Sequence, residues 1–110
     1  MSQWLRELLL VDDVYEAPSR FKDDPAYWVD GTEIAHLESE CALDIRLTRR
    51  VIAEQRASLR EDPRIQLRPH ASDWIGLSVS GPEDAPIVRT LIEQAAAAHR
   101  PRHPDPIHKS

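Results

Sequence analysis

Three glycines and a single cysteine among 110 residues remove several functional classes at the outset. With only Gly31, Gly76 and Gly81 available, neither familiar glycine-rich phosphate loop can be built. Cys41 has no partner for an internal disulfide, which points to a reducing compartment and a cytoplasmic location. Beside a strand it reads as a small packing residue. Aromatics are sparse, and the formal charge is -5, so nucleic acid is not an expected partner. The longest apolar run, Leu8–Val11, is too short to span a bilayer, and the charged start and apolar core of a secretory leader are missing. No membrane is expected. His36, His70, His99, His103 and His108 form no close ligand pattern, so the reading contains no metal and no cofactor.

What remains is an ordinary globular mixture, 41% hydrophobic and 30% charged. Its length suits one domain over 1–100, followed by a proline-rich tail over 101–110 expected to be flexible. Ser2 is a candidate cap for a helix over Gln3–Leu10, with Trp4, Leu5, Leu8 and Leu9 as its apolar stripe. The segment Val14–Lys22 resists assignment because Pro18 forbids an uninterrupted helix; Tyr15 and Phe21 are its expected anchors. A second helix starts at Thr48, with Leu47 and Ile52 as a hydrophobic staple, and stops at Asp62-Pro63. The last helix starts within Gly81–Pro86, with Pro86 in its first turn, Asp84 as its cap and Val88, Leu91, Ile92, Ala95 and Ala96 facing inward.

The strands organise the fold. Asp30-Gly31 marks a hairpin between Tyr27–Val29 and Glu33–Leu37. Leu43, Ile45 and Leu47 alternate with Asp44 and Arg46, and Ile75, Leu77 and Val79 alternate with Trp74, Gly76 and Ser78. Ile65 and Leu67 flank Gln66. Ile34 breaks the alternation in its strand by sitting on the polar phase. The expected architecture is α/β in the α+β sense: a two-layer fold with a mainly antiparallel five-stranded sheet and helices packed on one side.

Placing the apolar positions inward leaves His36, Asp44, Arg46, Gln66, Arg68, Trp74 and Ser78 on the opposite face. Two readings follow. In the first, the face binds: Arg46, Arg68, Trp74 and Gln66 hold a small anionic or planar ligand, or the face pairs with a second copy of the chain in a homodimer. In the second it is catalytic, with His36 and Asp44 as an acid/base pair and Arg46 stabilising negative charge. The binding or interaction module is the main reading and the enzyme its alternative. Glu38 and Glu40 read as charges at a hairpin edge.

Four short segments, Arg20-Phe21, Glu33-Ile34-Ala35-His36, Asp44-Ile45-Arg46-Leu47 and Ser72-Asp73-Trp74-Ile75, run in order through Arg20–Ala96. Together they resemble the luciferase-domain family of small α/β proteins, most of which have no assigned biochemical role. The resemblance implies a shared fold. Lys22-Asp23-Asp24 stands where family members commonly carry glycines, and His70 alone stands where many carry paired histidines.

Overall fold

Asp30 and Gly31 both take positive φ, 49° and 80°, which is the geometry of a two-residue hairpin turn matched to the twist of its strands. From that turn the sheet grows outward. The computed structural model describes residues 3–69 and 72–100. In chain order the elements are α1 (Gln3–Leu9), β1 (Tyr15–Pro18), β2 (Pro25–Val29), β3 (Thr32–Ser39), β4 (Ala42–Arg46), α2 (Arg49–Glu61), β5 (Ile65–Leu67), β6 (Trp74–Ser78), a 3-10 turn (Pro82–Asp84) and α3 (Ala85–His99). Ser2, His70 and the 101–110 tail lie outside the described residues.

The sheet has six strands, not five, in the order β1-β2-β3-β4-β6-β5, and every neighbouring pair is antiparallel. The strand missed from sequence is β1, which pairs Tyr15 with Trp28 and Pro18 with Pro25. It is four residues long, exposed at both ends and half-buried between, and ends on a proline that has no N–H to donate. An edge strand of that kind has no buried face and therefore no apolar alternation to read. Tyr15 and Phe21 do not anchor it in the core, since both are exposed. Tyr15 instead accepts a hydrogen bond from the Gly31 amide through its hydroxyl.

One sheet face carries Tyr27, Val29, Ala35, Leu43, Ile45, Ile75 and Leu77, all buried. α3 lies over β3 and β4, α1 packs on α3, and α2 borders β5. The three helices therefore cover one side. Val88, Leu91, Ile92, Ala95 and Ala96 supply the α3 stripe, and Leu5 and Leu9 that of α1. Truncating a fully buried residue here, such as Ile45→Ala, costs about 2–5 kcal/mol.

Two irregularities in β3 shape the other face. Tyr27 pairs with Ala35, but Trp28 pairs with Glu33, so Ile34 is an extra residue opposite β2. Such a bulge reverses the alternation. Ile34 turns into the core, fully buried, while Glu33 joins His36 on the polar side. A second shift lies between Leu37 and Ser39 against β4, with Glu38 as the unpaired residue.

α2 begins at a strained residue. Thr48 has φ 86° and ψ 150°, a region costly for a β-branched side chain, and its hydroxyl caps the Val51 amide at 3.3 Å. Asp73 holds it there: its carbonyl accepts from the Thr48 amide at 3.0 Å and its carboxylate from the Arg49 amide at 2.8 Å. At α3, Asp84 occupies the cap position but turns back. It accepts from the Ser80 amide at 2.7 Å and from Arg64 at 2.8 Å rather than from the helix it precedes. Cys41 is exposed in the β3–β4 turn and is not a packing residue.

Candidate functional site

Register alone brings the polar residues together. His36 on β3 lies opposite Asp44 on β4, Asp44 opposite Gly76 on β6, and Gly76 opposite Gln66 on β5, while Arg46 pairs with Trp74. On this frame a chain of charged hydrogen bonds runs across the face. His36 Nδ1 lies 2.9 Å from Glu33 Oε2 and its Nε2 lies 3.1 Å from Asp44 Oδ2. Arg68 donates to Asp44 Oδ1 at 2.6 Å. His36, Glu33 and Asp44 are all buried, whereas Arg68 is exposed. Charge-assisted contacts among desolvated groups are stronger than the same pairs in water.

The carboxylates here differ. Burial, and next a hydrogen bond with Glu38, raise the Asp44 carboxyl above the usual range, against the opposing pull of Arg68. Glu38 is correspondingly lowered, first by its hydrogen bond with Asp44 and then by Lys22, whose ammonium lies 3.2 Å away. Asp44 is the member of the pair that takes a proton more readily.

Above the histidine sits an aromatic wall. The Trp74 and His36 ring centres are 5.0 Å apart, and Phe21 lies 5.8 Å from each, edge-on to Trp74. These rings, with Asp44, Glu38, Lys22, Arg68 and Ser72, enclose an open cavity of about 370 Å³. That volume is at the lower end of small-molecule sites. Two roomier hollows lie elsewhere and carry different chemistry. One of about 510 Å³ is an acidic rim in which Arg6 is already paired with Glu16. The other, of about 860 Å³, is a cleft between α2 and α3 lined by residues such as Val51, Gln94 and Ala97. Neither contains a histidine.

Of the residues singled out from sequence, His36, Asp44, Arg68 and Trp74 meet at this cavity. Arg46 stands behind it. Its guanidinium lies 5.8 Å from the Trp74 ring centre and 3.4 Å from Asp73, and its buried Nε has no partner among the described residues. Gln66 shares the face but is not among the cavity's lining residues. Sequence reasoning missed Glu33, Glu38, Phe21 and Lys22. A signal existed for the first: Ile34, out of phase, marked the bulge that turns Glu33 toward His36.

Ring nitrogen and carboxylate oxygens of His36, Glu38 and Asp44 lie within 4.8 Å of one another, a spacing that a cation can bridge. The surrounding charges disfavour a divalent ion, because Lys22 and Arg68 already neutralise the two carboxylates.

No described helix is long and apolar enough to cross a membrane. The model of the Luciferase domain family matches residues 31–95, more than half of the chain, and the chain belongs to that family. Neither the curated proteins nor the solved structures contain a match.

Proposed function

We propose that this Luciferase-domain protein carries out proton transfer on a small planar substrate that is anionic or becomes so. One observation carries the reading: a buried histidine held at both ring nitrogens by carboxylates, beside a cavity walled by Phe21 and Trp74. His36 and Asp44 form one acid/base unit: Asp44, at the cavity, meets the substrate proton and exchanges it with Nε2 of His36, and the aromatic rings receive the plane of the substrate. Arg68 and Lys22, at the cavity, meet developing negative charge. Arg46, the anion stabiliser expected from sequence, acts one step back by holding Trp74, its Nε having no partner among the described residues. The acid/base reading thus has more support than a passive binding face.

5-Nitrobenzisoxazole is a suitable probe, being planar and converted by removal of one proton. The base takes the C3 proton, the N–O bond breaks, and the electron pair ends on a phenolate oxygen. The expected result is turnover above the solution rate that His36→Gln lowers by at least about 10²-fold. Affinity for 2-naphthoate should fall in Trp74→Ala and in Arg68→Ala. Equal turnover in His36→Gln and the parent protein overturns the reading.

For a second role of this face, pairing with a second copy of the chain, Phe21 at 59% exposure is the residue to test. Sedimentation at high concentration decides it: a dimer lost in Phe21→Ser supports pairing, and a monomer removes it.

A further inference from the structure

Glu33 is the most enclosed member of the site, with a side chain only 1% exposed, yet it does not line the cavity. A buried carboxylate away from the reacting space needs a reason. Its hydrogen bonds supply one. Oε2 receives the Ser19 hydroxyl at 2.6 Å and faces His36 Nδ1 at 2.9 Å, while Oε1 accepts the Arg20 amide at 2.7 Å.

The directions of these bonds follow from the inventory of donors. Ser19 Oγ accepts from the amides of Phe21 at 2.9 Å and Lys22 at 3.0 Å. Its single proton is therefore free only for Glu33. The Arg20 amide is a donor by nature. Glu33 is thus surrounded by donors, and His36 completes the set by presenting Nδ1–H. A neutral ring so held exposes the Nε2 lone pair toward Asp44, the carboxyl whose burial favours its protonated form.

The same carboxylate also fastens a second part of the site. Ser19 to Asp24 closes on itself through the Ser19 amide and the Asp24 carbonyl at 3.3 Å. Within it, Phe21 rests against His36 and Trp74, and Lys22 reaches Glu38. Among the described residues, Glu33 is the only carboxylate to which Ser19 Oγ and the Arg20 amide are bonded.

We propose that Glu33 is a positioning residue with two linked tasks: it fixes the proton of His36 on Nδ1, and it clamps the segment that carries Phe21 and Lys22 over the cavity. Ring orientation and closure of the aromatic wall then rise and fall together. This deepens the reading of His36 as the proton-transfer group and rests on it for its catalytic meaning, though not for its geometry.

The test uses the full chain, 15N-labelled, with the His36 ring nitrogens read by NMR and the Arg20 amide by hydrogen exchange. In the parent protein the neutral ring should carry its proton on Nδ1, and the Arg20 amide should be protected. Glu33→Gln should shift the ring toward the Nε2–H form and speed Arg20 exchange at least tenfold. Should that variant fail to fold, Ser19→Ala serves, because it leaves both Glu33 and His36 in place. It should accelerate Arg20 exchange, move the His36 signals in the same direction and lower turnover of 5-nitrobenzisoxazole about tenfold, with Ser19→Thr restoring all three. His36 signals unchanged while Ser19→Ala releases Arg20 would overturn the linkage. Normal ring signals in folded Glu33→Gln would overturn the positioning role. The ring measurement needs no substrate, so it separates the two ideas: an Nδ1–H ring that responds as expected supports Glu33 even if His36→Gln leaves turnover intact, which sinks the proton-transfer reading alone.

Discussion

Two buried aspartates on this chain each face an arginine, and they have been driven in opposite directions. Asp84 accepts from the Ser80 amide and from Arg64, and these bonds lower its carboxyl below the usual range. Asp62 completes that cluster, lowered in turn by Arg64. Asp44 also has its arginine, Arg68, at 2.6 Å, yet burial and the neighbouring Glu38 carry it upward. The difference is which effect wins: burial leads at Asp44, whereas at Asp84 the Ser80 amide outweighs it. A carboxylate fixed by an amide N–H is held ionised as part of the scaffold, whereas one set among side chains and another carboxyl is kept ready to exchange a proton. Similar residue pairs thus make a brace at one place and, in the function proposed above, a proton-transfer site at the other.

The largest contrast should appear on replacing each aspartate with asparagine. Asp84→Asn removes the charge that holds Arg64, and melting should fall by about 5 °C. Asp44→Asn should leave melting near neutral pH unchanged or higher, while turnover of 5-nitrobenzisoxazole drops at least about 10²-fold. The pH dependence should separate them by sign. Asp84 is depressed in the folded state, so its contribution is present above the ordinary aspartate range of about 3.9 and is lost as pH falls through the depressed value. Asp44 is raised, so its contribution is full below that range and is lost as pH rises through the raised value. Asp84→Asn should therefore flatten the acid limb of a melting-versus-pH curve, and Asp44→Asn should lift its neutral side. Indistinguishable curves for the two variants would break the comparison.

A smaller contrast belongs to the arginines. Arg64→Ala deprives both Asp62 and Asp84 of their partner and should lower melting by several degrees without changing affinity for 2-naphthoate. Arg68→Ala loosens one exposed arm, so stability should move by no more than about 1 kcal/mol, while the same affinity weakens about tenfold. Thermal melts and titrations on the two proteins decide this. Arg68→Ala with normal affinity would return Arg68 to the scaffold.

How much of this arrangement could be read in advance depended on alternation. Leu43, Ile45, Ile75 and Leu77 placed β4 and β6, and with them Asp44 and Trp74, because their apolar residues keep period two. β1 gave no such signal, since an edge strand ending at Pro18 buries neither face. Glu33 and Glu38 were hidden by the irregularities in β3, where one added residue changes which side a neighbour faces. Phe21 and Lys22 lie in a connection whose path is set by the Glu33 hydrogen bonds, a contact between residues 13 and 14 positions apart that no local pattern encodes. Asp84 was correctly placed ahead of its helix, but its partner Arg64 is 20 residues away in sequence. The pairing that makes it a brace needed the fold.

The smallest effect expected tests the route by which Arg68 reaches Asp44. These residues sit on opposite sides of β6, so the arginine spans two strand spacings, roughly 10 Å. Opposite Asp44 on β6 is Gly76, which presents no side chain to the crossing. The three atoms nearest to a Cβ at Gly76 all belong to Gln66, the closest being Oε1 at 3.3 Å. That amide is the mobile end of an exposed side chain and can move by a few tenths of an ångström. Gly76→Ala should accordingly cost less than about 1 kcal/mol and leave 2-naphthoate affinity as it is. Gly76→Leu places a branched side chain in the crossing, and affinity should then weaken about tenfold, to the level of Arg68→Ala. In the Gly76→Leu, Arg68→Ala double variant no further loss should follow, because the second change removes a contact already broken. Additive losses would mean that Arg68 reaches the ligand by another path, and that the contact with Asp44 is incidental to binding.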